Sequence, residues 1–390
     1  MRVLFLTHRL PYPPNRGDRI RSFRLLSHLA AHATVDLLSL VHSDEEAAQA
    51  DGVRSVARRV ELARVSRVHN AWSALAALPS GISMTHALLD SPELGACLER
   101  LCSPAPPDVV LAYCSGMARL ALEPPLAGVP FALDMVDVDS EKWRALSTTS
   151  AWPMRWVYAR EARLLRAFER TASARARVTF VVNARERESM LDVNSTARVD
   201  VLSNGIDVTT FRPRETTARM PDVVFAGVFN YQPNEQAALW FARDVWPRVR
   251  AVRPDATFTL VGMNPSRAVR ALDGQHGIRV TGTVPDVRPY LWSASVSVAP
   301  LLVARGLQNK VLEAVAAGLP CVVTPQVADG LPPEVGSACR VAADPSAFAG
   351  AVLELLGLAP GEGQAMAATA RLEQMSWDQR LAPLMAALAG

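Results

Sequence analysis

A chain of 390 residues, 49% hydrophobic and 20% charged, exceeds one ordinary hydrophobic core and predicts two globular domains. Its formal charge of +3 is too small to indicate nucleic acid as a partner, and no recognition-helix or zinc-finger pattern occurs. No run approaches the roughly 20 apolar residues of a membrane span, and the first apolar run is too short for a secretory leader, so a cytoplasmic protein is expected.

From the start, short β-rich apolar runs alternate with helical periodicity, the pattern of a parallel α/β fold. In the first half, strands are expected at 3–7, 35–41, 60–65, 109–113, 131–135, 178–182 and 199–202, with amphipathic helices at 20–31 and 155–171. A turn and linker follow: Ser203-Asn204-Gly205-Ile206-Asp207, then Phe211 and Pro213, then a polar run to Met220. The alternation then restarts. Strands are expected at 223–226, 258–261, 278–281, 296–299, 321–324 and 340–342, and helices at 234–249, 286–292, 308–317 and 345–356. Two Rossmann-like, doubly wound domains facing across a cleft are thus expected, covering 1–205 and 206–375, with a last helix at 376–390. Several strands of the second half close on Gly227, Gly262, Gly282 or Pro300, which puts turns at the carboxyl edge where such sheets bind ligands. The cysteines (Cys97, Cys102, Cys114, Cys321 and Cys339) lack metal-ligand spacing and read as buried reduced thiols.

The most informative stretch runs from Val296 to Pro320 and reads strand, loop, helix, stop. Gly306 allows close backbone approach, and the helix opening near Gln308 presents unpaired N–H groups to an anion. Leu307 and Asn309 lie at that opening. Lys310 adds a point charge in the first turn, and Glu313 is an acceptor-only group on the same face, suited to the two hydroxyls of a ribose. Anion-binding and diol-binding elements one turn apart match a nucleoside diphosphate. The competing reading of this spacing is an i,i+3 ion pair on the surface.

Asn309, Lys310, Glu313, Gly318 and Pro320 together resemble the donor-site signature of glycosyltransferase family 4, whose members have the GT-B fold. The Ser203–Pro213 segment, Phe225-Ala-Gly227 and Trp377 resemble its interdomain segment, the opening of its second domain and the start of its final helix. A narrower similarity, to sugar transferases of exosortase-linked exopolysaccharide systems, rests on Pro11–Asp18, Leu133–Ser140, Phe229–Asn234 and Pro285–Tyr290. The resemblance implies a retaining, metal-independent hexosyltransferase with no cofactor, taking its sugar from a nucleoside diphosphate and giving it to a glycan or lipid-linked acceptor. It implies donor contacts at Gly227, Asn230, Arg305, Gly306, Leu307, Asn309, Lys310 and Glu313. Two departures stand out. Arg305 occupies the place of the family's first donor-site glutamate and cannot accept from sugar hydroxyls. Val228 and Pro233 stand where an arginine and a lysine often follow the glycine.

In the first half, the loop after the first strand carries Arg16, Gly17, Asp18 and Arg21, expected to face the cleft as sugar or phosphate contacts; Asp18 also suits a helix N-cap. Asp134, Asp137 and Asp139 cluster at the end of the fifth strand. They would line the cleft or cap the following helix, and Asp137-Val-Asp139 also spells a divalent-metal motif of a different transferase fold. Asp137 and His8 are the candidate catalytic residues, with a structural role equally open for His8. A retaining transfer needs no dedicated base when the leaving diphosphate takes the acceptor proton.

From Lys142 to Arg177 there are 9 Lys/Arg against 2 Glu, with Trp143, Trp152, Trp156, Tyr158 and Phe168 interspersed. This reads either as a helix docking on an anionic membrane surface, giving a peripheral protein, or as a solvated helix whose aromatics pack inward. Two other functions share the pattern: a nucleotide-sugar epimerase of the same fold, and a non-catalytic sugar-nucleotide binder, to which Arg305 would be suited.

Overall fold

In a computed structural model, residues 1–214, 221–304 and 307–390 are described. They form two compact units, residues 1–203 with 380–390, and residues 204–379. The last helix, Trp377–Ala389, opens in the second unit, and its residues from Arg380 onward belong to the first.

The first unit is built on a parallel sheet of strands β1 (Arg2–Thr7), β2 (Thr34–Val41), β3 (Arg59–Arg64), β4 (Val109–Tyr113), β5 (Phe131–Val136), β6 (Thr179–Val181) and β7 (Val199–Val201). Their order is β3-β2-β1-β4-β5-β6-β7. The second unit has β8 (Asp222–Ala226), β9 (Thr257–Val261), β10 (Ile278–Val280), β11 (Val296–Ala299), β12 (Cys321–Val323) and β13 (Cys339–Val341), ordered β10-β9-β8-β11-β12-β13, again parallel. Every expected strand is present. Parallel strands covered by helices on both faces are continuous apolar runs, so Val223, Val224 and Phe225 are all fully buried. The arginine-rich β3 forms too, because Arg59 folds back onto the carboxylate of Asp36 on the neighbouring strand, 2.8 Å away.

The order of each sheet reverses once, at β1/β4 and at β8/β11. At such a reversal the two following connections leave for opposite faces, and a crevice opens beyond the carboxyl ends of the strands. This feature positions the residues below. Helices follow the expected periodicity with one revision. The expected 234–249 helix runs as Gln232–Trp240, a wide π turn at Phe241–Val245, and Trp246–Val252. Pro247 lacks the N–H a regular α turn would use there, and a single π turn accommodates such a gap. Short helices such as Met84–Leu88 and Ser115–Leu122 lacked enough turns to show a period. The five cysteines are free thiols, three of them buried and Cys102 and Cys114 partly so.

Candidate functional site

In the second unit the switch point lies beyond β8 and β11, and the helices that follow these strands, Gln232–Trp240 and Asn309–Ala316, meet there through side chains. Lys310 Nζ donates to Asn234 Oδ1 at 2.6 Å, and the ammonium stands 5.1 Å from the centre of the Phe225 ring on β8. Asn234 is itself fixed, since its Nδ2 donates to the Val228 carbonyl at 3.0 Å. A buried amide therefore aims the lysine, and an aromatic face supports its charge.

Two glycines make room for this arrangement. A Cβ at Gly227 would press on the Asn234 amide at 3.2 Å, and the Gly227 N–H donates to the Val261 carbonyl at 2.9 Å. Gly262 adopts φ +149°, where a Cβ would meet the Gly227 carbonyl oxygen at 1.7 Å. No side chain fits there, so the two strand ends approach as only glycine permits.

Among the described residues Asn309–Ala316 begins without a side-chain cap hydrogen bond from Gln308, the kind of helix opening whose first-turn N–H groups suit an anion. Asn309 Oδ1 accepts from Asn204 Nδ2 at 3.5 Å, so the Asn204-Gly205 turn reaches this helix opening. The turn is held in place by Trp377: a Cβ at Gly205 would lie 2.5 Å from the Trp377 Cα, and the Ile206 N–H donates to the Met375 carbonyl. Leu307 packs onto the apolar core of the second unit. Arg305 and Gly306 lie outside the described residues.

The i,i+3 ion pair does not form. Lys310 turns to Asn234, and among the described residues the Glu313 carboxylate makes no hydrogen bond or ion pair. Burial pushes the Lys310 ammonium down to about 8 and the Glu313 carboxyl up to about 7, each partly offset by the other's charge. A positive group and an unengaged acceptor thus sit one turn apart beside an open helix end. Asn230, by contrast, is exposed; the asparagine that meets the lysine is Asn234, four residues later.

In the first unit, Arg21 and Asp134 are each other's partners and are not open to a ligand. Arg21 Nε and Nη2 each donate to one Asp134 oxygen at 2.8 Å, with the residues 1% and 0% exposed. Two opposite charges from the Gly17–His32 helix and β5 are buried together because neither is tolerated there alone. Arg16 is exposed and Gly17 faces open space. Asp18 lies in the first helical turn and is not its N-cap, which is Arg16; Arg16 and Arg9 approach its carboxylate at 2.9 and 3.6 Å.

His8 stacks on Tyr113 across the β1/β4 switch point, ring centres 5.5 Å apart, with Nε2 4.0 Å from Asp18. Burial outweighs that carboxylate and pushes His8 down to about 4, so it is neutral at neutral pH. Its Nδ1 is buried with no hydrogen-bond partner among the described residues. After β5, Val136 adopts φ +67°, a costly conformation for a β-branched residue, and turns the chain out of the sheet. Asp137 follows. One of its oxygens is buried without a partner among the described residues, and burial, with Glu186 and Asp139 nearby, lifts its carboxyl to about 6. Asp139 accepts from Ser115 Oγ at 2.5 Å. Among the described residues no group of three or more His, Cys, Asp or Glu is placed to hold a metal ion.

Residues 220–357 match the family model described as Glycosyl transferases group 1. No curated protein matches in sequence. Among solved structures, sucrose-phosphate synthase from Thermosynechococcus elongatus has the same fold, with TM-score 0.71 and 15% identity over 99% of this chain and 97% of that one. HepE from Anabaena, solved in complex with UDP, gives 0.67 and 11% over 100% of both chains. Trehalose 6-phosphate synthase from Burkholderia multivorans gives 0.64 and 13%, covering 100% of this chain and 98% of that one. The fold is GT-B, and with the family match it supports a GT-B glycosyltransferase.

Proposed function

We propose that this chain moves a sugar from a nucleoside diphosphate sugar to a glycan or lipid-linked glycan in exopolysaccharide or other cell-surface polysaccharide synthesis, as a cytoplasmic enzyme. The observation that carries the reading is Lys310, aimed by Asn234 at an uncapped helix end one turn from an unengaged Glu313. Lys310 and the first-turn amides would bind the diphosphate, and Glu313 would accept from the ribose hydroxyls. HepE, the structural neighbour solved with UDP and with UDP-glucose, supports a nucleotide-sugar donor. The exopolysaccharide role rests on the sequence motifs at Pro11–Asp18 and Phe229–Asn234.

We further propose retention of anomeric configuration without a cofactor or metal ion. Lys310 and the helix end would stabilise the diphosphate as it leaves, and the diphosphate would take the acceptor proton on the face it vacates. Turnover of a donor panel with and without acceptor tests the function. Release of nucleotide with sugar transferred supports it. A changed but intact free nucleotide sugar would mean an epimerase, and binding without turnover a non-catalytic protein.

Donor affinity should peak near neutral pH. Glu313 is raised to about 7, so protonation below that weakens the ribose acceptor; Lys310 is lowered to about 8, so deprotonation above that removes the cation. Because binding favours the charged form of each, affinity is expected to fall by up to about tenfold per pH unit on either side. Calorimetric titration with a nucleoside diphosphate from pH 5.5 to 9.5 checks this; a flat profile would refute both roles.

A further inference from the structure

The basic, aromatic segment after β5 folds as two adjacent helices, Asp139–Thr149 and Met154–Arg175. Its aromatics divide. Trp143 packs on Tyr158 and Phe168 on His86, whereas Trp152 and Trp156 are 84% and 56% exposed, with Met154 beside them at 43%. The charges divide as well, and in one direction. Glu161 and Glu169, both fully buried, are used internally: Glu161 accepts from Ser83 Oγ and the Met84 and Thr85 amides, and Glu169 from Ser140. Two of the segment's acids are thus removed from the surface while most of its cations remain there.

Between the two helices lies a cavity of about 430 Å³ lined by Arg144, Arg163, Arg166 and Arg170, with Glu141 as its one acid. Arg144 and Arg166 share that carboxylate, and Arg170 donates to the Val193 carbonyl. Arg163 is exposed and makes no hydrogen bond or ion pair among the described residues. Trp156, Arg163 and Arg170 recur every seven residues, so the exposed indole and the groove arginines lie along one helix face. A second exposed apolar stripe, Val68, Trp72 and Leu75 on Arg67–Ala76, belongs to the same unit. Arg160 and Glu161 bind the chain that follows it, through the carbonyls of Ala77 and Ile82 and the amides of Met84 and Thr85.

We propose that this face of the first unit docks on an anionic phospholipid surface, with a lipid phosphate in the arginine groove and Trp152 and Trp156 at the interface. Guanidinium groups match phosphate oxygens two at a time, and indoles favour the boundary between headgroups and acyl chains. Four guanidinium groups against a single carboxylate leave three positive charges in excess, which defines the ligand as an anion, and the adjoining indoles define it as a lipid and not free phosphate. The inference does not depend on the donor site.

Flotation of the intact chain with phosphatidylcholine vesicles, with and without phosphatidylglycerol, tests it. Binding to the anionic vesicles alone, reversed by high salt, with a blue shift of tryptophan fluorescence, is expected. Arg163→Glu should lower partitioning by more than about tenfold, since each interfacial cation carries roughly a fivefold effect and the change reverses one. Trp156→Ser should reduce the blue shift, and Trp152→Ser with Trp156→Ser should abolish it. These side chains are exposed, so the variants are expected to keep the wild-type melting temperature. Equal partition onto neutral and anionic vesicles, displacement by inorganic phosphate beyond its effect as salt, or retention on polyuridylate without vesicle binding would each overturn the proposal.

Discussion

Lys310→Met is expected to weaken binding of a nucleoside diphosphate by about 2–3 kcal/mol, roughly 30- to 150-fold in Kd, while leaving the fold at least as stable as before. The two halves of this expectation come from one observation. Among the described residues the ammonium is held by a single hydrogen bond, to Asn234, in surroundings that depress it to about 8. A lysine lowered from 10.5 in the unfolded chain to about 8 costs stability at neutral pH, a cost relieved only as pH rises through that interval. Replacing it by an uncharged side chain of similar shape removes that cost, whereas the bound diphosphate loses its aimed cation. A residue kept only for structure would behave in the opposite way. Lys310→Arg should rescue binding only in part, because a planar guanidinium cannot occupy the point fixed by Asn234 and the Phe225 face. Calorimetry with the nucleoside diphosphate and urea unfolding of the same preparations check both halves.

Asp134→Ala is expected to destabilise the first unit by about 3–5 kcal/mol, seen as a drop in its urea midpoint. The aspartate is fully buried and takes both forks of Arg21, so its loss leaves a buried guanidinium without the carboxylate that held it. The double variant Arg21→Met/Asp134→Leu should recover most of the loss, since the cost lies in the stranded charge and not in the missing attraction. If the single variant is neutral, the pair is not the structural bond described. If the double variant is as unstable as the single one, shape and not charge holds this place.

These two sites also show what the sequence could and could not disclose. The strands were legible because a parallel strand covered on both faces is an unbroken apolar run, and the helix at Asn309–Ala316 because it stops at Gly318 and Pro320. Lys310 and Glu313 stood out by spacing along one helix, a local property. Asn234 did not, although it lies in the Phe229–Asn234 motif: nothing local tells which of two asparagines faces inward, and only the start of a helix at Gln232 decides it. The Arg21–Asp134 pair joins residues 113 apart, and without a tertiary fold each looked like a free contact for substrate. Counting aromatics in the 142–177 segment could not separate Trp143, which packs on Tyr158, from Trp156, which faces out. The glycine at 262 was readable as a turn, but its contact with Gly227 follows from sheet order.

Hydrogen exchange of the intact chain, with and without saturating nucleoside diphosphate, asks where the activated substrate is gripped. The account predicts slowed exchange in the opening turn of Asn309–Ala316 and in the 227–234 connection after β8, lost in Lys310→Met at the same ligand concentration. Protection confined to other segments, with the Asn309–Ala316 amides exchanging as in the free protein, would contradict it.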